Sequence, residues 1–201
     1  MELSLEEGKE LVLLARKTVK HFFETGTLLE EKASQKNLME KRGVFVTILN
    51  WPGKELRGCI GFPLPTKPLW NAVKQASLSA AFEDPRFVPL AEEELNKVIF
   101  EISILSMPEE INEKEKLLNE LRIGWDGLIV RQGMESGLLL PKVAVELKWN
   151  ARQFIEACCE KAFLPSDAWT QPNTKVMKFQ AQVFTEEKPA GKIIKEKGGA
   201  E

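Results

Sequence analysis

The pattern that most constrains the fold of this chain is a pair of apolar segments joined by a tight turn. The segment GVFVTILN at 43–50 is β-branched and apolar, NWPG at 50–53 is typical of a turn, and ELRGCIGF at 55–62 can return as its hairpin partner. Further along, KVIFEISILS at 97–106 alternates apolar and polar residues, which predicts a half-buried antiparallel strand. These segments favour an antiparallel sheet over regular βαβ units.

Single helices are predicted between the strands. Ser4 and Glu7 fit a capping box that begins a helix over 5–25, and helical periodicity predicts two more helices over 68–83 and 151–162. The remaining predicted elements are a short helix around 112–121, a second hairpin whose loop runs from Gly133 to Gly137 and continues into LLLPKVAV, and a last strand at 174–184. The sequence therefore predicts an α+β protein, with a mainly antiparallel sheet and about three covering helices on one side.

The chain length fits one domain. With 201 residues, the chain is close to the size of a single domain or of a pair of sub-lobes, and we place this domain at 1–187. From Lys188 onward the residues are charged and end in glycines, so we expect 188–201 to be a disordered tail.

Composition restricts the class of protein. The chain has 28 Lys and Arg against 30 Asp and Glu, and a net charge of −2 argues against a nucleic-acid partner. No stretch approaches the roughly 20 apolar residues of a membrane span, and the acidic first residues are unlike a signal peptide. Three cysteines are too few for a disulfide scaffold. We therefore expect a cytoplasmic protein with no membrane partner.

The sequence offers no motif for a bound metal or cofactor. It contains neither a glycine-rich phosphate-binding loop nor the Cys and His pairs of a zinc site, so we expect no metal and no cofactor. Of the cysteines, Cys158 lies four residues after Phe154 on the apolar face of the third predicted helix. Cys158 is therefore expected to be buried and inert.

The segment LRGCIG at 56–61 is the most informative for function. Strand alternation places Arg57 and Cys59 on one face, where the guanidinium would favour the thiolate. Gly58 and Gly61 weaken a strand, which indicates a bulge or the close approach of a ligand or of another backbone. One interpretation is an anion-binding or nucleophilic site in which Cys59 is the candidate catalytic residue. The other is a tight hairpin with a buried Cys59 and with Arg57 paired to Glu55.

A second candidate segment, DPRF at 84–87, follows the second predicted helix. Asp84 can accept backbone donors in the turn, and Arg86 lies on a loop held by a defined scaffold. The alternative is a simple turn with an Asp–Arg pair. We predict that Arg57, Cys59, Asp84 and Arg86 converge on one concave, locally positive site suited to a carboxylate or phosphate group.

Six ordered blocks of sequence carry a resemblance to a known family. They are LRGCIGF at 56–62, DPRF at 84–87, ISILS at 102–106, GLIV at 127–130, LLLPKVAVE at 138–146 and CCEKAFL at 158–164. Blocks like these occur in the same order in the AMMECR domain family, that of the Alport syndrome–midface hypoplasia–elliptocytosis chromosomal-region protein and its prokaryotic relatives. The chain departs from the family pattern at Lys142, where relatives often read LLPQV, and at Phe163, where they often read KAGL.

The resemblance implies a compact α+β domain of two unequal sub-lobes with a cleft between them, and no established activity. Prokaryotic members look associated with a Memo-like protein and a radical SAM enzyme. Two hypotheses follow. In the first, Arg57 and Arg86 clamp a small anionic ligand in the cleft and Cys59 acts as nucleophile or thiol acid, with Gly58, Gly61 and Asp84 completing the site. In the second, the protein is a non-catalytic adaptor or interaction module for a Memo-like or radical SAM partner.

Overall fold

Antiparallel strand pairing dominates the fold. A computed structural model describes residues 2–196, apart from the side chain of Glu115. Every pairing recorded between its strands is antiparallel, and helices lie between strands along the chain, so the predicted α+β class is confirmed. The described residues form two compact units. The first unit comprises residues 2–104 and 182–196, and the second comprises residues 105–181.

The described residues contain eight strands and five α-helices. The strands are β1 (Val44–Asn50), β2 (Leu56–Phe62), β3 (Val98–Leu105), β4 (Glu109–Glu110), β5 (Asp126–Gln132), β6 (Glu135–Leu139), β7 (Lys175–Glu186) and β8 (Ile193–Lys195). The α-helices are α1 (Leu5–Thr25), α2 (Leu69–Phe82), α3 (Lys114–Glu120), α4 (Pro141–Glu146) and α5 (Ala151–Lys161). Four of these helices match predicted ones, with α3 as the short helix around 112–121, whereas α4 lies where the sequence predicts a strand of the second hairpin.

The first unit has a sheet with β2 at its edge. The strand order is β2, β1, β3 and then the end of β7, and β8 also pairs with β7. The predicted hairpin of β1 and β2 is confirmed, with Thr47 directly opposite Cys59. Because no described strand lies on the outer side of β2, the main-chain groups of β2 that point outward need other partners.

One face of this sheet is covered by α1 and α2. The capping box of Ser4 and Glu7 begins α1 as predicted, and α2 packs on β1 and β2. A Cβ at Gly58 would lie 2.1 Å from the carbonyl oxygen of Ala80, so the backbone of α2 touches the strand at this point. No described helix is both long enough and apolar enough to cross a membrane.

The second unit has its own core. Its strands are ordered β6, β5 and then the first part of β7, with β4 also on β7. The helix α5 begins at Ala151, and the side chain of Asn150 caps it. The apolar face of α5 packs against the hairpin, and the core contains Leu128, Val130, Phe154, Cys158 and Val176.

Three expectations need correction. All residues of β3 are buried, including the polar Glu101 and Ser103, because β3 is an interior strand with protein on both faces. The residues 141–146 form α4, with Pro141 at its first turn, where a proline fits a helix. The predicted tail is ordered at Ile193–Lys195, where β8 pairs with β7 and buries Ile193, while 197–201 lie outside the described residues.

The residue Phe163, just after the end of α5, has a strained backbone conformation. Phe163 has a φ of 59°, in the left-handed region, and its side chain is 89% exposed. A left-handed conformation costs a non-glycine residue roughly 1–2 kcal/mol, whereas glycine loses roughly 0.5–1 kcal/mol through the entropy of the unfolded chain. We therefore expect Phe163→Gly to raise the free energy of unfolding in urea by about 0.5–1 kcal/mol. Phe163→Ala keeps the Cβ and should give no gain; equal stability of the two variants would contradict the expectation.

Candidate functional site

Asp84 and Arg86 occupy the open edge of β2 at Cys59. The main-chain N–H of Cys59 donates to Asp84 Oδ2 at 2.8 Å, and Arg86 Nη2 donates to the Cys59 carbonyl oxygen at 3.3 Å. These two main-chain groups point away from β1, since the N–H and C=O of one strand residue lie on the same side. The two side chains therefore provide the acceptor and the donor that another strand would provide.

The carboxylate of Asp84 is the centre of this cluster. Only 5% of Asp84 is exposed. Besides the Cys59 N–H, it accepts hydrogen bonds from the main-chain N–H of Arg86 at 3.1 Å and from the Arg86 guanidinium at 2.9 and 2.7 Å. The guanidinium is the main cause that lowers the pKa of Asp84 to about 2; the two main-chain donors add to this, and burial opposes it. Asp84 is thus a fixed negative charge.

Arg86 is held in place while half of it faces solvent. Its side chain is 53% exposed, and its Nη1 group donates to no described residue. The hydrogen bonds to Asp84 are the main cause of its raised pKa, and the charge of the Cys59 thiolate is a smaller one. The guanidinium therefore lies beside the main chain of Cys59.

The thiol of Cys59 lies on the face of β2 away from α2. Gly58 faces the helix, so alternation turns Cys59 to the opposite face, and the residue as a whole is partly exposed. The hydroxyl of Thr47 donates to the Cys59 sulfur at 3.3 Å. In contrast, Cys158 is buried as predicted, and burial raises its pKa to about 12; burial also raises the pKa of Cys159. Among the described cysteines, Cys59 is therefore the one that is not buried.

Arg57 has a different environment from the one predicted. Its guanidinium forms two hydrogen bonds with the carboxylate of Glu94, at 2.8 and 3.0 Å, and donates to the carbonyl oxygens of Val88 and Pro89. These hydrogen bonds are the main reason why the pKa of Glu94 is lowered. Arg57 is buried and pairs with Glu94, so neither the pairing with Glu55 nor a free positive charge is found.

The two arginines both lie near the ring of Phe87 but do not form a positive pocket. The Cζ atoms of Arg57 and Arg86 are 6.0 and 5.5 Å from the ring centroid of Phe87. Each arginine is paired with a carboxylate, Glu94 for Arg57 and Asp84 for Arg86, which corrects the predicted positive charge of the site. The structure thus brings Cys59, Asp84 and Arg86 into contact, while Arg57 anchors the loop that follows.

Gly58 and Gly61 have packing reasons for lacking a side chain. Gly58 accommodates the carbonyl group of Ala80 in α2. A Cβ at Gly61 would lie 2.4 Å from the carbonyl oxygen of Val44 and 2.5 Å from the ring of Phe45, which covers this position. The approach of another backbone was one of the predicted alternatives, and contact of either glycine with a ligand stays a prediction. No group of three or more metal-binding side chains is found among the described residues.

The acid stability of the protein tests the role of Asp84. Because its pKa is lower in the folded protein than the ordinary 3.8, folding favours the ionised form. We expect Asp84→Asn to lose about 2 kcal/mol of unfolding free energy at pH 7, where this stabilisation is complete. About half of the difference should vanish at pH 3, since the stabilisation is lost as the pH falls from about 4 to about 2. Urea unfolding of the unmodified protein and of Asp84→Asn at pH 7 and pH 3 measures this difference in unfolding free energy. A difference that is the same at both pH values would contradict the role of Asp84 as a stabilising charge.

Comparison with known proteins gives consistent matches over nearly the whole chain. A family model described as AMMECR1 matches residues 12–184. Protein MK0488 of Methanopyrus kandleri is 47% identical over 195 residues, which cover 96% of this chain and 94% of that protein. Protein MJ0810 of Methanocaldococcus jannaschii is 41% identical over 197 residues, covering 97% and 98%. The crystal structure of uncharacterized protein PH0010 from Pyrococcus horikoshii is similar with a TM-score of 0.90, at 43% identity, over 95% of this chain and 97% of that one.

Proposed function

This chain belongs to the AMMECR1 family, and we propose that it binds a small anionic ligand at Arg86, beside the thiol of Cys59. One observation carries the proposal: a half-exposed guanidinium is held in a single orientation by a buried carboxylate. The main-chain donors of Cys59 and Arg86 already bind Asp84. The position of the Asp84 carboxylate is therefore fixed by main-chain donors, independently of its hydrogen bonds with the Arg86 guanidinium.

The fixed orientation of Arg86 is what favours a ligand. An exposed ion pair usually contributes little, because two flexible side chains must be ordered together. Here Asp84 is already fixed, and the ligand meets a guanidinium that has lost most of its rotational freedom, which reduces the entropy lost on binding. The Nη1 group keeps two N–H donors, each of which can donate to an oxygen of a carboxylate or phosphate.

The charge balance of the site indicates how such a ligand would be held. Asp84 and Arg86 together carry no net charge, and Arg57 is neutralised by Glu94. The ligand would therefore be held by direct hydrogen bonds rather than by a broadly positive surface. We expect its binding to depend only weakly on salt concentration, unlike binding to a positive patch.

The role proposed for Cys59 is that of a nucleophile or thiol acid toward the bound ligand. A thiolate is the reactive form of cysteine, and neighbouring cationic groups favour it. Arg86 donates to the carbonyl group of Cys59, so a ligand on its Nη1 group would be bound by a side chain that contacts this residue.

The adaptor hypothesis is the second candidate. It is favoured by Val88, which is largely exposed on the loop that carries Arg86 and would suit contact with a protein. The partner implied by the family resemblance is a Memo-like or radical SAM protein. If the protein is only an adaptor, Cys59 has no reason to react faster with anionic reagents than with neutral ones. This difference separates the adaptor hypothesis from anion binding at Arg86.

Alkylation of Cys59 with iodoacetate and with neutral iodoacetamide tests the proposal. Cys158 and Cys159 are buried, so the native protein reports on Cys59. We expect Arg86→Ala to lower the ratio of the iodoacetate rate to the iodoacetamide rate by about tenfold, because a hydrogen bond to a charged group contributes roughly 1.5–3 kcal/mol.

Arg122→Ala is the matched control for this measurement. Arg122 is likewise half-exposed and paired with a buried carboxylate, that of Asp126, but belongs to the second unit. We expect the rate ratio of this variant to equal that of the unmodified protein. If Arg86→Ala and Arg122→Ala both leave the ratio unchanged, anion binding at Arg86 is wrong and the adaptor hypothesis is favoured.

A further inference from the structure

Thr47, a residue that the sequence did not single out, touches the reactive atom of the proposed site. Its hydroxyl donates to the Cys59 sulfur at 3.3 Å. We propose that Thr47 is a positioning residue that orients the Cys59 thiol and favours its thiolate form. The inference deepens the proposed function and rests on Cys59 as the group that reacts there.

The contact between Thr47 and Cys59 follows from the backbone. The two residues are direct partners in the register of β1 and β2. The main-chain groups of Cys59 bond outward to Asp84 and Arg86, so Thr47 and Cys59 form a pair without mutual main-chain hydrogen bonds. In such pairs the Cα atoms are only about 4.5 Å apart and the side chains are closest. The strand pairing itself therefore keeps the hydroxyl beside the sulfur.

The chemistry of the contact favours the thiolate. Thr47 is only 1% exposed. Burying a hydroxyl costs free energy unless it forms a hydrogen bond, and valine would fill a similar volume without this cost. A neutral thiol is a weak acceptor, whereas a thiolate accepts hydrogen bonds strongly. The Thr47 hydrogen bond therefore becomes stronger when Cys59 loses its proton, which shifts the equilibrium toward the reactive form.

The charges near Cys59 leave this role to the hydroxyl. The surrounding charged side chains are those of Arg57 two residues earlier in β2, Asp84 and Arg86 at the strand edge, and Glu101 of β3 opposite Thr47. The arginines are both paired with carboxylates. Among the described residues, Thr47 is the one whose side chain donates a hydrogen bond to the sulfur itself.

The test is the pH profile of Cys59 alkylation by iodoacetamide, which carries no charge and so does not depend on anion binding. We expect Thr47→Val to move the rate profile to higher pH, with a rate at pH 7 about three- to tenfold lower and an unchanged rate at the alkaline plateau. Thr47→Ser keeps the hydroxyl and should restore the profile. The control is Thr185→Val, another buried strand threonine of the first unit, which should behave as the unmodified protein.

Three results would overturn the inference: an unchanged profile in Thr47→Val, a loss of rate that is equal at all pH values, or no rescue by Thr47→Ser. An equal loss at all pH values would mean that the substitution changed access to the sulfur and not its protonation. If Thr47→Val does not fold, Thr47→Ala gives the same comparison. Failure of the proposed function is seen separately, as an unchanged iodoacetate to iodoacetamide ratio in Arg86→Ala.

Discussion

The buried carboxylate of Asp84 joins the edge strand, the end of α2 and the loop that carries Arg86. An edge strand presents main-chain groups that must bond to water, to a covering segment or to another chain. At Cys59 both outward groups are satisfied by side chains, the N–H by Asp84 and the carbonyl by Arg86. This arrangement closes the edge at one residue and leaves the side chain of that residue on the sheet face. The proposed function and the protection of the edge thus use the same two side chains.

Arg57 complements this arrangement from the neighbouring position of β2. By binding Glu94 and the carbonyl groups of Val88 and Pro89, it fixes the far part of the loop whose beginning is fixed by Asp84. The two arginines that the sequence placed together therefore have different roles, with Arg57 inside the protein and Arg86 at its surface. Breaking a buried ion pair leaves an uncompensated charge, so loss of Arg57 should disturb the loop rather than remove a ligand contact.

The parts of the fold that were predictable are those with local signals. The start of α1 follows from its capping box, and the Asn150 cap marks the start of α5 in the same way. In contrast, the six apolar-rich residues of α4 fit either period, so the sequence predicts a strand there, and β8 is only three residues long. The alternation in β3 predicts one apolar and one polar face, but it does not predict that the polar face is also buried.

The contacts of the site were less predictable because they depend on distant residues and on register. Glu94 is one of three consecutive glutamates, and nothing local distinguishes the one that reaches Arg57. The hairpin register shifts between Ile48 and Leu49. Counting back from the pair nearest the turn, Leu49 with Leu56, places Thr47 opposite Gly58 instead of Cys59. The irregularity is therefore what hides the Thr47 contact from the sequence.

Amide hydrogen exchange measured by NMR at Cys59 and Gly61 tests the central claim most directly. Both N–H groups lie on the outward side of β2, but only that of Cys59 has a partner among the described residues. The account predicts that the Cys59 amide exchanges at least roughly tenfold more slowly than the Gly61 amide in the same sample. Equal exchange rates for the two amides would mean that Asp84 does not close the edge of the sheet, and would contradict the account.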